Sequence, residues 1–326
     1  MKKHAVIPAI ILATISGCGS TTGPSDPGTG PAVAWFDGLG WTVDIYYPRD
    51  STLSLGAFVT GEAPNDMLLL DDGQLAVVNS TSCSVSFFDP SQPGASTGEV
   101  FLDAESNPYS ACTDGDRLYV TGLLSASVFV IDLDSLAVTD EFEGLPNASG
   151  IAVASGRLFV SCANYPVAGC FGTIVMDPMT GEISDTLATP ENTHLLRFFP
   201  ETGMIHALST TYDDDGTITI IDPSIPAVTA TVTTGGTPGL PCRLGDKFFA
   251  GDGWSSTSIF VYDETSGLIE TEDAGFGISG IAAMGDTLYM TAFASDIVLV
   301  MDAATWTPLD TLQAGDGPQG ILIIPE

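Results

Sequence analysis

The chain has 326 residues, of which 44% are hydrophobic, and a formal net charge of −33 from eight Lys and Arg against 41 Asp and Glu. This length and apolar content suffice for a domain with a large buried core. So acidic a surface repels nucleic acid and anionic lipid headgroups, which argues against both as ligands, and it favours cations or a basic partner. Solvation in a salty habitat is the alternative that charge alone leaves open.

Residues 1–17 predict a secretory leader rather than part of the fold. Lys2 and Lys3 form a short positive segment, and residues 5–15 are apolar but too few to span a bilayer as a helix. Without the leader, six Lys and Arg face 41 Asp and Glu, so the mature chain carries a net charge of −35. An ordinary secretory signal is one interpretation of this leader.

The end of the leader, residues 15–18, reads Ile-Ser-Gly-Cys and resembles the lipobox of bacterial lipoproteins. The resemblance implies cleavage before Cys18 and lipidation of Cys18, which would hold an otherwise soluble domain at a membrane. Gly19 in place of Asp implies the outer membrane, if the cell has one. Residues 18–32 are rich in Gly, Ser, Thr and Pro and predict a flexible tether.

Residues 33–326 contain seven copies of one apolar pattern, which predict seven third strands. The copies are VDIYY (43–47), VSFFD (85–89), VFVID (128–132), TIVMD (173–177), ITIID (218–222), IFVYD (259–263) and VLVMD (298–302). They recur every 39 to 45 residues, a period typical of four short strands with their turns. The sequence therefore predicts an all-β, seven-bladed propeller with four strands per blade.

The last repeat shows how one blade is organised. Small residues at 280–284 suit an inner strand near the crowded axis, and 288–290, 297–301 and 306–312 follow as the second, third and outer strands. Asp302 closes the third strand, and we expect its carboxylate to accept backbone N–H groups in an Asx-turn. The equivalent Asp of the other repeats has the same predicted role, which is structural rather than catalytic.

The two ends of the chain predict how the ring closes. Residues 319–324 match an inner strand, but the chain stops there. Residues 32–37 and 41–47 match the second and third strands of a blade that lacks its first. We therefore expect the C-terminal strand to complete the N-terminal blade, which removes the open sheet edges.

These LYV and LFV strands, GD turns and VxVxD strands resemble the YVTN-type seven-bladed propellers of bacterial surface and periplasmic proteins. The broader set includes virginiamycin B lyase-like propellers and quinoprotein subunits. The resemblance covers nearly the whole mature chain but indicates fold more than activity. The lyase-like members use several His and acidic residues with Mg²⁺, whereas only His194 and His206 remain in the mature chain.

Candidate binding residues lie where a propeller places its strand 2–3 connections, on the face around the mouth of the central channel. Aromatic residues on such loops favour a binding face, although they also suit packing between loops. The candidates are Tyr165, Tyr212, Trp254 and Phe293, together with His194 at the first strand of the fifth repeat. His206 aligns with Tyr119 and Tyr289 and is predicted to be packed.

The function predicted from these features is that of a lipid-anchored, extracytoplasmic propeller which binds or scaffolds a protein, peptide or polysaccharide through this face. An enzyme, lyase-like or oxidoreductase-associated and using His194 at the channel, is the alternative. A purely structural envelope protein is the third possibility.

One cation site is suggested by Asp213, Asp214 and Asp215, which precede Gly216 and which Asp252 of the next repeat could join. Carboxylate oxygens suit Ca²⁺, but the spacing is not that of an EF-hand, and an acidic hairpin tip is the alternative.

The cysteines predict extracytoplasmic disulfides. Cys162 and Cys170 flank a seven-residue loop and are spaced for a local bridge. Cys83 lies in the strand 2–3 connection of the second repeat, and Cys112 is expected to begin the next inner strand on the same face, so these two are a second predicted pair. Cys242 is expected to be free and buried. None of these cysteines has zinc-ligand or haem-attachment spacing.

Overall fold

A computed structural model describes residues 28–165, 171–253 and 256–326. The leader, Cys18, most of the tether, Cys170 and Trp254 lie outside the described residues. Within these ranges there is no helix with the length and hydropathy needed to cross a membrane.

The described residues form seven four-stranded antiparallel sheets, which are the blades of a β-propeller. The predicted fold class is confirmed. From the axis outward, blade 1 contains β28 (Pro318–Ile324), β1 (Ala32–Asp37), β2 (Thr42–Tyr47) and β3 (Thr52–Val59). Blade 2 contains β4 (Pro64–Leu69), β5 (Leu75–Asn79), β6 (Ser84–Phe88) and β7 (Ser96–Phe101). Blade 3 contains β8 (Pro108–Asp114), β9 (Arg117–Gly122), β10 (Ser127–Asp132) and β11 (Ala137–Glu143). Blade 4 contains β12 (Ala148–Ala154), β13 (Arg157–Cys162), β14 (Phe171–Met176) and β15 (Ile183–Glu191). Blade 5 contains β16 (Thr193–Phe199), β17 (Met204–Ser209), β18 (Thr217–Asp222) and β19 (Ala227–Thr233). Blade 6 contains β20 (Cys242–Leu244), β21 (Lys247–Gly251), β22 (Ser258–Asp263) and β23 (Gly267–Asp273). Blade 7 contains β24 (Gly280–Met284), β25 (Thr287–Ala292), a 3₁₀ turn (Phe293–Ser295), β26 (Ile297–Asp302) and β27 (Thr307–Gln313).

The core is a ring of apolar clusters between neighbouring blades. Side chains alternate across a strand, so Ala34 and Phe36 of β1 pack against blade 2, whereas Val33 and Trp35 pack against blade 7. Because both faces of the two middle strands of a blade are buried, these strands read as nearly continuous apolar runs rather than as alternating ones. Burying one large apolar side chain contributes about 1.5–3 kcal/mol.

Hydroxyl groups at the ends of three second strands connect their blades to the next blade. Thr121 donates to the carbonyl of Ser149 at 2.7 Å, and Thr291 donates to that of Gln319 at 2.5 Å. Ser80 makes the same bond to Pro108 at 2.5 Å. These bonds satisfy inner-strand carbonyls that would otherwise be buried without partners and fix where the inner strands begin around the channel.

The ring closes through the two ends of the chain, as predicted. The C-terminal strand β28 pairs antiparallel with β1, with Ala34 opposite Leu322 and Val33 opposite Ile323. Together with β2 and β3 these strands form a complete blade of four strands, like the other six.

The Asp residues that close the third strands form the predicted Asx-turns. Asp132 accepts the Ser135 backbone N–H at 2.8 Å, and Asp177 accepts that of Met179 at 2.8 Å. Hydrogen bonds from the side chain and backbone of Ser135 lower the pKa of Asp132, and backbone bonds from Met179 and Thr180 lower that of Asp177. These carboxylates shape turns on the face opposite the strand 2–3 connections.

A buried pair of carboxyl groups, Asp37 and Asp44, lies in the blade that closes the ring. Asp44 accepts Trp35 Nε1 at 3.1 Å, the Gly56 N–H at 2.6 Å and the Gly315 N–H at 3.0 Å. Asp37 accepts only the Thr42 hydroxyl, at 2.8 Å, among the described residues. Burial, followed by the charge of Asp44 and more weakly that of Asp296, raises the pKa of Asp37 to about 7.

We predict that Asp37→Asn stabilises the protein at pH 8 and has little effect near pH 4. Because the folded-state pKa of Asp37 is raised, its stabilising contribution is complete below about pH 4 and is lost as the pH rises through 7. An amide already fills the equivalent place in blade 2, where Asn79 packs against Gly61 as Asp37 packs against Gly315. Thermal unfolding between pH 4 and 8 measures the effect, with exposed Asp71→Asn as the control. A gain that is the same at every pH would contradict the assignment.

Candidate functional site

The loop face is the side of the propeller that carries the strand 2–3 turns and the connectors from each outer strand to the next inner strand. Its described segments are residues 38–41, 60–63, 80–83, 102–107, 123–126, 144–147, 163–165, 192, 210–216, 234–241, 252–253, 256–257, 274–279, 293–296 and 314–317. The first residues of the inner strands surround the channel mouth on this side.

Two of the predicted aromatic residues are prominent on the loop face. Tyr165 of blade 4 is 63% exposed and Tyr212 of the neighbouring blade 5 is 65% exposed. Phe293 of blade 7 is half-buried against Gly317, beside Leu39. Trp254 lies outside the described residues, so its place stays a prediction. The aromatic face is thus formed by Tyr165 and Tyr212, while Phe293 mainly supports the connector.

The structure adds apolar residues that the sequence analysis missed. Leu39 and Trp41 lie in the strand 2–3 turn of blade 1 and are 58% and 42% exposed, and Leu124 in the corresponding turn of blade 3 is also exposed. The signal was the segment Gly-Leu-Gly-Trp at 38–41, which connects the first two strands of the chain. Because blade 1 takes its inner strand from the C-terminus, this turn was not compared with those of the other repeats.

Tyr109 and Asp66 lie near the channel mouth on neighbouring inner strands. Asp66 accepts the Ser110 hydroxyl at 2.7 Å and the Ala111 N–H at 2.9 Å, which joins β4 to β8. Burial, then the proximity of Tyr212 and Asp66, raises the pKa of Tyr109 to about 12.

His194 begins the inner strand of blade 5, as predicted, but it is nearly buried, with 8% of its surface exposed. Its Nδ1 lies 3.2 Å from the Asn192 carbonyl, and burial lowers its pKa. Among the described residues no carboxylate is hydrogen-bonded to it. A catalytic His usually has an orienting or proton-accepting partner, which this arrangement does not supply.

His206 is fully buried in β17 between blades 5 and 6, so the predicted packing role is confirmed. Its Nδ1 lies 2.8 Å from the Tyr262 hydroxyl, and its Nε2 lies 2.9 Å from Glu264. Burial lowers the pKa of His206 and hydrogen bonding to Glu264 opposes that shift.

The structure does not assemble the predicted Ca²⁺ site from Asp213, Asp214, Asp215 and Asp252, and no group of three or more metal-ligating side chains occurs in the described ranges. Asp215 accepts the Thr211 N–H at 2.8 Å and the Thr211 hydroxyl at 2.6 Å. Asp214 accepts the Gly236 N–H at 2.7 Å. Asp252 is buried and accepts the Ser256 hydroxyl at 2.9 Å. These oxygens shape loops, the alternative that the sequence left open.

The predicted Cys83–Cys112 bridge is wrong, because both are free thiols. Cys83 lies in the strand 2–3 turn of blade 2, on the loop face. Cys112 is the fifth residue of β8 rather than its first, so it lies nearer the opposite face, packed against blade 4. Cys242 is free and buried, as expected. The Cys162–Cys170 bridge stays a prediction because Cys170 is outside the described residues.

Charge is distributed unequally between the two faces. The described loop-face segments contain nine carboxylates and no Lys or Arg: Glu62, Asp103, Glu105, Asp213, Asp214, Asp215, Asp252, Asp296 and Asp316. Arg49, Arg117, Arg157 and Lys247 lie at turns on the opposite face, and Arg197 and Arg243 lie on inner strands. Exposed apolar side chains on the loop face are therefore surrounded by negative charge alone.

A groove of about 500 Å³ lies on the opposite face, between blades 6 and 7. Trp306 stacks on Phe249 there with ring centroids 6.4 Å apart, and Lys247 pairs with Glu270 at 2.8 Å. None of the predicted site residues lines this groove.

No protein-family model and no curated protein sequence matches this chain. Solved structures do match it. A putative 6-phosphogluconolactonase from Bacteroides uniformis has 13% identity and a TM-score of 0.72 over 90% of this chain and 99% of that chain. Hydrazine synthase from Kuenenia stuttgartiensis has 17% identity and a TM-score of 0.68 over 79% and 89%. AztD from Citrobacter koseri has 14% identity and a TM-score of 0.58 over 91% and 98%. At these identities the similarity shows the seven-bladed propeller fold alone.

We predict that Asp215→Asn destabilises the protein by about 1 kcal/mol, since it weakens charge-assisted hydrogen bonds from Thr210 and Thr211. Asp213→Asn is the matched control, because Asp213 is exposed and makes no hydrogen bond with the described residues. Urea unfolding of the two variants distinguishes them. Equal losses in both variants, or a Ca²⁺-dependent gain in the wild type that both abolish, would contradict the loop-shaping role.

Proposed function

We propose that this chain is a lipid-anchored, extracytoplasmic β-propeller that binds a basic protein or peptide through its loop face. The observation that carries the proposal is the combination on that face of exposed Tyr165, Tyr212, Leu39 and Trp41 with carboxylates and no Lys or Arg in the described segments. Exposed apolar patches with polar surroundings are typical of interaction sites. Tyr and Trp are also the residues that most often supply binding energy at protein interfaces.

The charge pattern favours a cationic partner. A partner rich in Lys and Arg would meet only negative charge around the tyrosines, which speeds association and disfavours acidic competitors. A neutral polysaccharide would use the aromatic rings without needing the carboxylates, so salt dependence separates the two classes. Binding that weakens as salt rises supports a basic partner, whereas salt-independent binding of a glycan supports the polysaccharide instead.

The family resemblance and the anchor belong to the same proposal. The repeat motifs resemble YVTN-type surface propellers, and the Ile-Ser-Gly-Cys segment at 15–18 resembles a lipobox. A rigid disc on a Gly- and Pro-rich tether would present its loop face at a variable distance from the membrane. The enzyme alternative gains no support, because His194 is nearly buried and its side-chain bond is to a backbone carbonyl.

For the binding face, we predict that Tyr165→Ser together with Tyr212→Ser weakens partner binding by tenfold or more, since hot-spot aromatic residues often contribute at least about 2 kcal/mol. The matched control is Met179→Ser together with Ile225→Ser, because these exposed residues lie in the same two blades on the opposite face. Crosslinking and mass spectrometry in the native envelope identify the partner, and biosensor affinities compare the variants. Loss of binding only in the Met179 and Ile225 variant would place the interface on the other face.

For the anchor, we predict that Cys18→Ser releases the protein from the membrane fraction, because the acyl chains would be absent. Detergent phase partitioning and mass spectrometry of the N-terminal peptide test this. A Cys18→Ser protein that still partitions into detergent without a lipid on any residue would show that the leader acts otherwise.

A further inference from the structure

The seam between blades 5 and 6 differs from the other six seams at the axis. Neighbouring inner strands lie in close contact around the ring, but β16 and β20 approach each other less closely than the remaining pairs. The inner strand of blade 6 is also short, with only three residues. Pro238 and Pro241 precede it, and proline cannot donate to a strand ladder, so only an isolated bridge between Pro238 and Asp252 comes before the strand.

Two arginines lie on the facing sides of this seam. Arg197 of β16 lies on the same face of its strand as Leu195 and Phe199, which pack towards blade 6. Arg243 of β20 lies between Cys242 and Leu244, which pack towards blade 7, so Arg243 points towards blade 5. These are two of the six Lys and Arg in the mature chain.

The same pair of aromatic rings supports both guanidinium groups. Arg197 Cζ lies 5.7 Å from the ring centroid of Phe199, and Arg243 Cζ lies 6.0 Å from that of Phe248. The two rings meet edge to face with centroids 4.8 Å apart. The cationic groups are therefore held on one small platform beside the channel.

Neither guanidinium has a close carboxylate partner. Within the described ranges no carboxylate lies within 4.0 Å of Arg197, and Arg243 reaches only the fully exposed Asp246, at 3.9 Å. Glu264 is near, but it accepts bonds from His206 at 2.9 Å and from Thr202 at 2.7 Å. Arg243 Nε is buried without a hydrogen-bond partner among the described residues.

We propose that Arg197 and Arg243 bind a small oxyanion, a carboxylate or a phosphate, at the seam between blades 5 and 6. Two like charges on one platform repel each other. An anion between them removes this repulsion, and its oxygens accept hydrogen bonds from the guanidinium N–H groups. The planar guanidinium group matches the paired oxygens of carboxylate and phosphate. Two arginines on facing strands, with the buried Arg243 Nε lacking a hydrogen-bond partner among the described residues, offer donors that such an anion can fill.

The test is calorimetric titration of the full-length lipidated protein in detergent with inorganic phosphate and, separately, malonate. Sodium chloride at equal ionic strength is the reference. We expect saturable binding at one site per chain, with a higher Tm at saturation. Tighter binding of phosphate or of malonate identifies which class of oxyanion the site prefers.

Variants separate a site from a general salt effect. Arg197→Gln and Arg243→Gln should each weaken binding by tenfold or more, whereas Arg157→Gln on the opposite face should leave it unchanged. Without anion, the two Gln variants should melt no lower than the wild type, since each removes a repelling charge. If a Gln variant does not fold, Arg197→Lys replaces it as the test. This variant keeps the charge but loses the paired N–H donors of the guanidinium group, so it should bind the anion more weakly than the wild type. Wild-type protein with no saturable binding beyond the chloride reference, or binding that the arginine variants leave unchanged, would overturn the proposal.

Discussion

The structure depends on one constraint: the two middle strands of every blade must bury both of their faces, and the only partners available are the neighbouring blades. A single blade leaves two apolar surfaces open, as the opposite packing of Val33 and Phe36 in one strand shows. Seven blades satisfy this requirement only when the ring is closed. The pairing of β28 with β1 is therefore the contact on which the packing of the whole ring relies, since it joins the chain ends within one sheet.

Closure also decides where function can reside. Because both faces of the middle strands are buried, the side chains that can bind a ligand or a partner are confined to the two loop surfaces and to the inner strands. The surface opposite the loop face is occupied by Asx-turns, in which Asp132, Asp177 and their equivalents hold backbone N–H groups. On the loop face, by contrast, Tyr165 and Tyr212 extend into solvent with no cation among the described segments. The two surfaces therefore differ in the side chains that they expose, although both are built from the same repeat.

The sequence predicted the fold well because its signals are local and repeated. The Asp that ends six of the seven third-strand repeats and the unmatched strand at the C-terminus identified both the period and the closure. Contacts between distant segments were harder to predict. Cys112 was expected at the start of its strand, but β8 begins at Pro108, and this difference of four residues moves the thiol towards the other face. Arg197 and Arg243 lie on facing sides of the seam between blades 5 and 6 because of side-chain alternation in two different blades and the short strand after Pro241. A single repeat does not reveal such a placement.

Acidic residues of the same type have different roles in this protein. Asp215 shapes a loop, Asp66 joins two inner strands, and Asp37 is a buried group with a raised pKa. In the acidic loop of blade 5, Asp214 and Asp215 accept hydrogen bonds from backbone N–H groups. The hydrogen-bond partners of each carboxylate oxygen, rather than the proximity of Asp residues in the sequence, decide the role of each residue.

Hydroxyl-radical footprinting of the protein in intact cells tests the central claim most directly, because it reports which face is covered. We predict that Tyr165 and Tyr212 are oxidised more slowly in cells than in the purified protein, while Met179 on the opposite face is oxidised at the same rate in both. Protection of Met179 with unchanged oxidation of both tyrosines would contradict the assignment of the loop face as the binding surface.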